Sequence, residues 1–247
     1  MEHAADPLWF TILLNKLLAH PVAAGLAAVG MEAEHPLALI SDHVAMQVLV
    51  LLILFTTALI LRRQLSVTKP GNFQQITEVV VQFMANMLEE MAGNGSRRYL
   101  ALIGSLGLFV AACNVIGIIP GFGSPTTENT ATTGCALVAF LYYHFHGVRV
   151  HGIFKYLKHF LGPVFAMSLI MVIVETVSHF ARILSLSARL WANMNVSTQL
   201  EHVFAGLVPI GIPVIFMGLH LFVSLLQAYI FMLMPTVYLG AAVTEEH

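Results

Sequence analysis

Glu175, Arg189, Asn193, His220 and Gln227 place polar chemistry inside the apolar carboxyl-terminal part of the chain. Arg189 is the most informative, because it lies within Ser168–Leu200, where long apolar runs bury it in lipid or in membrane-embedded protein. A guanidinium at bilayer depth is costly, and unlike lysine it cannot shed its proton to escape that cost. The expectation is a functional charge.

At about 100° per residue, Glu175, Ser178, His179, Arg182, Ser185, Arg189 and Asn193 fall on one face about 120° wide. Such a stripe lines a wet path or meets polar groups of another subunit. His220, Ser224 and Gln227 form a second, shorter stripe, and two facing stripes would make a conduit. Several members have a plainer explanation. Ser178, Ser185 and Ser224 are expected to bond to their own backbone or across a helix contact. Arg182 either reaches the surface along its aliphatic stem or belongs to the stripe. His179 suits an interface as well as a path. Glu175 and Arg189 cannot be a mutual salt bridge, since they stand about 21 Å apart along a helix.

The elements that must hold these groups are set by composition. Of 247 residues, 58% are hydrophobic and 10% charged, with a net charge of −2, which predicts an all-α polytopic membrane protein. No basic block suggests nucleic acid. Cys113 and Cys135 have no metal-type spacing and read as small core residues, and no cofactor or metal is expected. The cluster His144, His146, His151 and His159 lies beside Arg149, Lys155 and Lys158 and reads as a hydrated membrane edge. HExxH, Gly-rich phosphate-loop and GxSxG motifs are missing. The acidic amino terminus lacks a signal or transit leader, so the first span is expected to be its own uncleaved anchor.

The chain reads as one membrane domain, 1–247, in successive parts. Residues 1–43 form a partly helical segment outside the bilayer, and 44–61 the first span. Residues 62–98 form a connection holding an amphipathic interfacial helix, with Val79, Val80, Phe83, Met84, Met87 and Leu88 on one side of it. Residues 99–146 make a helical hairpin, its second span short and its connecting loop polar. Residues 163–242 make two long helices, with 201–213 read as the loop between them. The segment from Pro163 to Asn195, if one helix, extends about 50 Å across about 30 Å of hydrocarbon, so it must slant strongly or be broken. Arg62, Arg63, Lys69, Arg97 and Arg98 fall in one connection and Arg149, Lys155 and Lys158 in another. With both connections cytoplasmic, about five crossings leave the amino terminus outside and the carboxyl terminus inside.

The stretch SLSARLWANM, with Arg189 and Asn193, resembles the signature of subunit a of the F-type ATP synthase, the membrane stator that faces a rotating ring of c subunits. Glu175 stands at the position of that family's acidic residue on the cytoplasmic side. LHLFVSLLQAYIFMLMPTVYL resembles its final helix, with His220 and Gln227 at the polar positions, and the closing EEH looks bacterial. The resemblance implies two offset half-channels that load and unload protons on the c-ring carboxylates, with Arg189 dividing them. It also implies a c-ring and peripheral-stalk b subunits as partners, a bacterial inner membrane, no covalent chemistry in this chain, and the long helices slanted along the ring. Glu175 would serve the cytoplasmic exit; Asn193, His220 and Gln227 would serve the outer entrance. Many members carry a glutamate or histidine where this chain has Thr198. Glu201 or His202 with His220 is expected to supply that function.

A self-contained secondary transporter, whose arginine would bind an anion, is the alternative. It predicts repeated halves with paired broken helices, and the sequence shows no such repeat.

Overall fold

In a computed structural model of the chain, residues 8–28, 40–93, 95–119, 122–156, 168–207 and 211–243 are described, the side chains of 19–28, 168–169, 202, 205, 207 and 212–213 aside. Every element among them is helical: α1 (Trp9–Ala28), α2 (Asp42–Gln64), α3 (Asn72–Ala92), α4 (Leu100–Ile116), α5 (Asn129–His151), α6 (Ser168–Leu207) and α7 (Ile212–Val243). Short 3-10 turns at Ser96–Tyr99 and Pro125–Thr127 lead into α4 and α5.

Asp42–Gln64, Ser96–Ile116, Ile170–Glu201 and Val214–Val243 are long and apolar enough to cross a membrane. Their outward surfaces agree: Leu51, Leu52 and Phe55 on α2, Phe180 and Leu184 on α6, and Phe222 and Leu225 on α7 are all exposed within the chain. Water would not tolerate so much contiguous apolar surface, and lipid or protein must cover it. Helix α5 spans 23 residues, so the expected short span is one full-length helix running through the histidine-rich stretch to His151. It packs against both α6 and α7.

Helix α6 has 40 residues and α7 has 32. Even their apolar portions, about 45–48 Å long at 1.5 Å per residue, exceed about 30 Å of hydrocarbon, so both helices must slant. Residues 201–207 were expected in a loop, yet α6 continues through them, because LEHVFAGL keeps a helical pattern and Pro209 is the first breaker. This continuation gives Glu201 a fixed place opposite α7.

Two buried clusters join the helices. Met84, Met87 and Leu88 of α3 pack with Tyr99, Ile103, Tyr143, Met232 and Leu239, while Val110, Ala136, Leu186, Leu190, Met194 and Phe231 knit α4, α5, α6 and α7. Only part of the α3 apolar side is used, for Val79 and Phe83 stay exposed. Phe83 lies against Tyr229, and Ala92 against Gly240, so α3 runs alongside and in the same direction as the last part of α7. Gly240 is required there: a Cβ would meet the Met91 carbonyl oxygen at 2.9 Å and Ala92 Cα at 3.0 Å, both backbone. Gly240→Val is expected to destabilise this junction by about 1–3 kcal/mol, read as a lower yield of assembled protein and a lower unfolding temperature.

A helix also precedes α2. Helix α1 runs 20 residues through Pro21 and docks on α2 by Phe10 and Leu14 against Ala45. Polar ties reinforce the docking: Asn15 Nδ2 donates to the Ile40 carbonyl (3.1 Å), Ile40 N–H donates to Asn15 Oδ1 (3.0 Å), and Leu8 N–H donates to Asp42 Oδ1 (3.2 Å).

Candidate functional site

Leu186, Leu190 and Met194 face inward and fix the rotation of α6. That rotation sets Arg189 on the flank, half-buried between the inward face and the exposed Ala188 and Trp191. Among the described residues it makes no ion pair or hydrogen bond. Arg182, two turns earlier, lies over the Tyr238 ring at 4.6 Å, a cation–π contact that joins the α6 polar face to the last helix.

The two polar stripes meet. Asn193 Nδ2 donates to Gln227 Oε1 at 3.0 Å, joining α6 to α7 just beyond Arg189. Further along the same face, His220 Nδ1 lies 3.3 Å from Glu201 Oε2. A carboxylate only accepts, so Nδ1 carries the hydrogen and Nε2 is left as the basic nitrogen. His220, Ser224 and Gln227 are buried almost completely. Among the described residues, His220 Nε2, Ser224 Oγ and Gln227 Nε2 have no hydrogen-bond partner, so Ser224 makes neither the backbone bond nor the cross-helix bond expected of it there. Thr198, by contrast, donates to the Met194 carbonyl at 2.8 Å and is occupied locally. The His202 side chain lies outside the described residues.

A second polar cluster sits at the other end of α6. His179, 8% exposed, has Nδ1 2.8 Å from the Glu175 carbonyl oxygen and 3.3 Å from Glu175 Oε1. Its ring is 4.9 Å from that of His144 and 6.4 Å from that of Tyr143. Tyr156 joins from the turn after α5; burial raises its hydroxyl above the usual tyrosine range, the Arg182 charge opposes that, and the Glu175 charge adds to it. Glu175 and Arg182 therefore act on one spot. Sequence reasoning assigned His144 to the hydrated edge and gave no role to Tyr143, Tyr156 or Tyr238. The signal available was the single-turn spacing of Phe140 and His144 facing a polar α6. Among the described residues, no cluster of histidine, cysteine, aspartate and glutamate suits a metal ion.

A buried network beside the α4–α5 connection was also missed, since residues 123–133 read as a plain polar loop. Thr126 Oγ1 donates to Asn114 Oδ1 at 2.7 Å, Ser124 Oγ bonds the Cys113 carbonyl at 3.3 Å, and Asn195 Nδ2 donates to the Thr127 carbonyl at 2.9 Å. Asn114 within an apolar helix was the visible hint. Its Nδ2 has no partner among the described residues.

Fold and site together define a multi-pass, all-α membrane protein with charged and titratable groups held where its apolar helices meet. Residues 44–240 match the family model of the ATP synthase A chain. The chain is 47% identical to ATP synthase subunit a of Koribacter versatilis over 97% of its own length and 98% of that protein's. It is 42% identical to the Solibacter usitatus subunit a over 92% and 98%, and 37% identical to that of Geobacter sulfurreducens over 84% and 90%. The chain belongs to the ATP synthase A chain family.

Proposed function

We propose that this chain is the stationary, proton-translocating subunit of the membrane sector of an F-type ATP synthase, and that Arg189 divides two offset half-channels facing a ring of c subunits. The observation that carries this reading is Arg189 itself: a permanent cation half-buried on a membrane helix, with no counter-charge among the described residues. Charges at that depth are paired, so the partner is expected on another subunit. A ring carboxyl crosses lipid neutral. Beside the guanidinium its ionised form is favoured, so it releases its proton there; past the guanidinium it reloads. The same charge repels protons that would pass straight between the half-channels.

Asn193, Gln227, His220 and Glu201 line the outer entrance. Buried polar atoms without a protein partner cost about 1–3 kcal/mol each unless water meets them, so His220 Nε2, Ser224 Oγ, Gln227 Nε2 and Asn114 Nδ2 favour a hydrated path there. Glu175 serves the exit. The basic connections at 62–98 and 149–158 put both on the cytoplasmic side, with the amino terminus outside and the carboxyl terminus inside a bacterial inner membrane. Each proton then contributes about 2.3 kcal/mol per 100 mV to rotation. The chain makes no covalent bond; it gates and steers.

Purification of the tagged chain in mild detergent tests the partner assignment. Co-purification with a c-ring and peripheral-stalk b subunits is expected. Recovery alone or as a homo-oligomer with intact anion uptake would favour a self-contained transporter instead.

A further inference from the structure

The imidazoles of His179 and His144 stand together at the Glu175 end of α6. Each turns its Nδ1 to a main-chain carbonyl one turn back on its own helix: Glu175 at 2.8 Å for His179, and Phe140 at 3.1 Å for His144. A carbonyl oxygen only accepts, so both Nδ1 atoms carry hydrogen and both Nε2 atoms are the basic nitrogens. The ring centroids are 4.9 Å apart. Two histidines in the same tautomer, with rings this near, suit a proton hand-over directly or through one water.

The surrounding charges limit its occupancy. Glu175 and Arg182 face the pair from α6, Tyr143 from α5, Tyr156 from the turn at 153–156 and Tyr238 from α7. One carboxylate, Glu175 Oε1, lies 3.3 Å from His179 Nδ1 and stabilises a single imidazolium. Among the described residues, two imidazolium rings beside the Arg182 guanidinium would set three cations against that one carboxylate, which disfavours loading both rings at once.

We infer that His179 and His144 form a two-histidine proton relay at the cytoplasmic exit, with Glu175 as the counter-charge that steadies the loaded His179. The inference rests on the proton-translocating reading above. A proton leaving the ring binds Nε2 of His179. That N–H bond then breaks as one forms at Nε2 of His144, directly or through one water, and His144 releases the proton to the cytoplasmic side. Both Nδ1–H bonds to the carbonyls persist throughout. Neither ring has to flip, and the pair returns to its starting tautomer after each passage.

The test uses the whole complex in vesicles, with ATP-driven proton pumping followed from about pH 5.5 to about pH 8.5, across the range in which imidazole titrates. His179→Asn keeps a donor toward the Glu175 carbonyl but cannot carry a proton. Pumping is expected to fall about tenfold, less than the roughly hundredfold or more usual for a lost acid–base group because water substitutes in part, and the imidazole limb of the pH profile should vanish. His144→Asn should remove the same limb with a smaller loss. A lowered rate with the wild-type profile in either assembled variant would mark a structural role and overturn the relay, as would unchanged pumping in both. If His179→Asn fails to assemble, His144→Asn decides. Arg189→Ala runs alongside: pumping that survives there sinks the proton-translocating reading itself, whereas pumping lost there but intact in both histidine variants sinks the relay alone.

Discussion

Arg189→Ala is expected to abolish ATP synthesis driven by an imposed proton gradient, by about a hundredfold or more, the scale of removing a preorganised electrostatic group from a water-poor site. The charge does two jobs, and both fail together. Without it, an approaching ring carboxyl has less reason to ionise, and protons gain a direct path between the half-channels. Leucines on the inward face, Leu186 and Leu190, hold α6 in place independently of Arg189, so assembly should survive. Co-purification of the ring with the variant would verify that. Arg189→Lys should fail as well, because a lysine can deprotonate when buried and then neither repels protons nor favours the carboxylate. Wild-type synthesis in Arg189→Lys vesicles would contradict the assignment of a permanent charge.

His220→Ala carries the second largest expected effect. The ring is 1% exposed, its Nδ1 is 3.3 Å from Glu201 Oε2, and its Nε2 has no partner among the described residues. Truncation removes a titratable group and strands the Glu201 carboxylate in a half-buried place. Proton pumping should fall about a hundredfold, the lower end for loss of one acid–base group. Glu201→Gln should lower it by a similar direction and lesser amount. Because the two groups act as a pair, the double variant should pump no worse than His220→Ala, a non-additivity that independent sites do not show. Full additivity of the two losses would separate Glu201 from the path, and unchanged pumping in His220→Ala would remove His220.

The Glu201 case also shows where sequence reading ran short. Thr198 occupies the position at which an acid or histidine is common in the family, and it spends its hydroxyl on the Met194 carbonyl. Glu201 was one of two candidates to replace it, placed in a loop. The continuation of α6 through Leu207 instead brings Glu201 to His220 across the α6–α7 contact. The missed cluster has a similar cause. His144 was read with its neighbours in sequence, as part of a basic edge, while its actual neighbours are His179 and Tyr156 on other segments. The contact of Arg182 with the Tyr238 ring of the last helix likewise could not be read from its own segment.

What the sequence determined by itself was the set of long apolar helices, the face on which Glu175, Arg189 and Asn193 lie, and the excess length that forces α6 and α7 to slant. Those properties follow from helical period and rise, which are local and need no knowledge of neighbours. Only the tertiary structure decided which groups meet: Asn193 with Gln227, His220 with Glu201, and His179 with His144. Such pairings depend on helix rotation and register, which side chains such as Leu190, Met194 and Phe231 fix by filling one another's gaps. A residue's period along the chain says which side it faces, and only close packing between helices says what stands opposite.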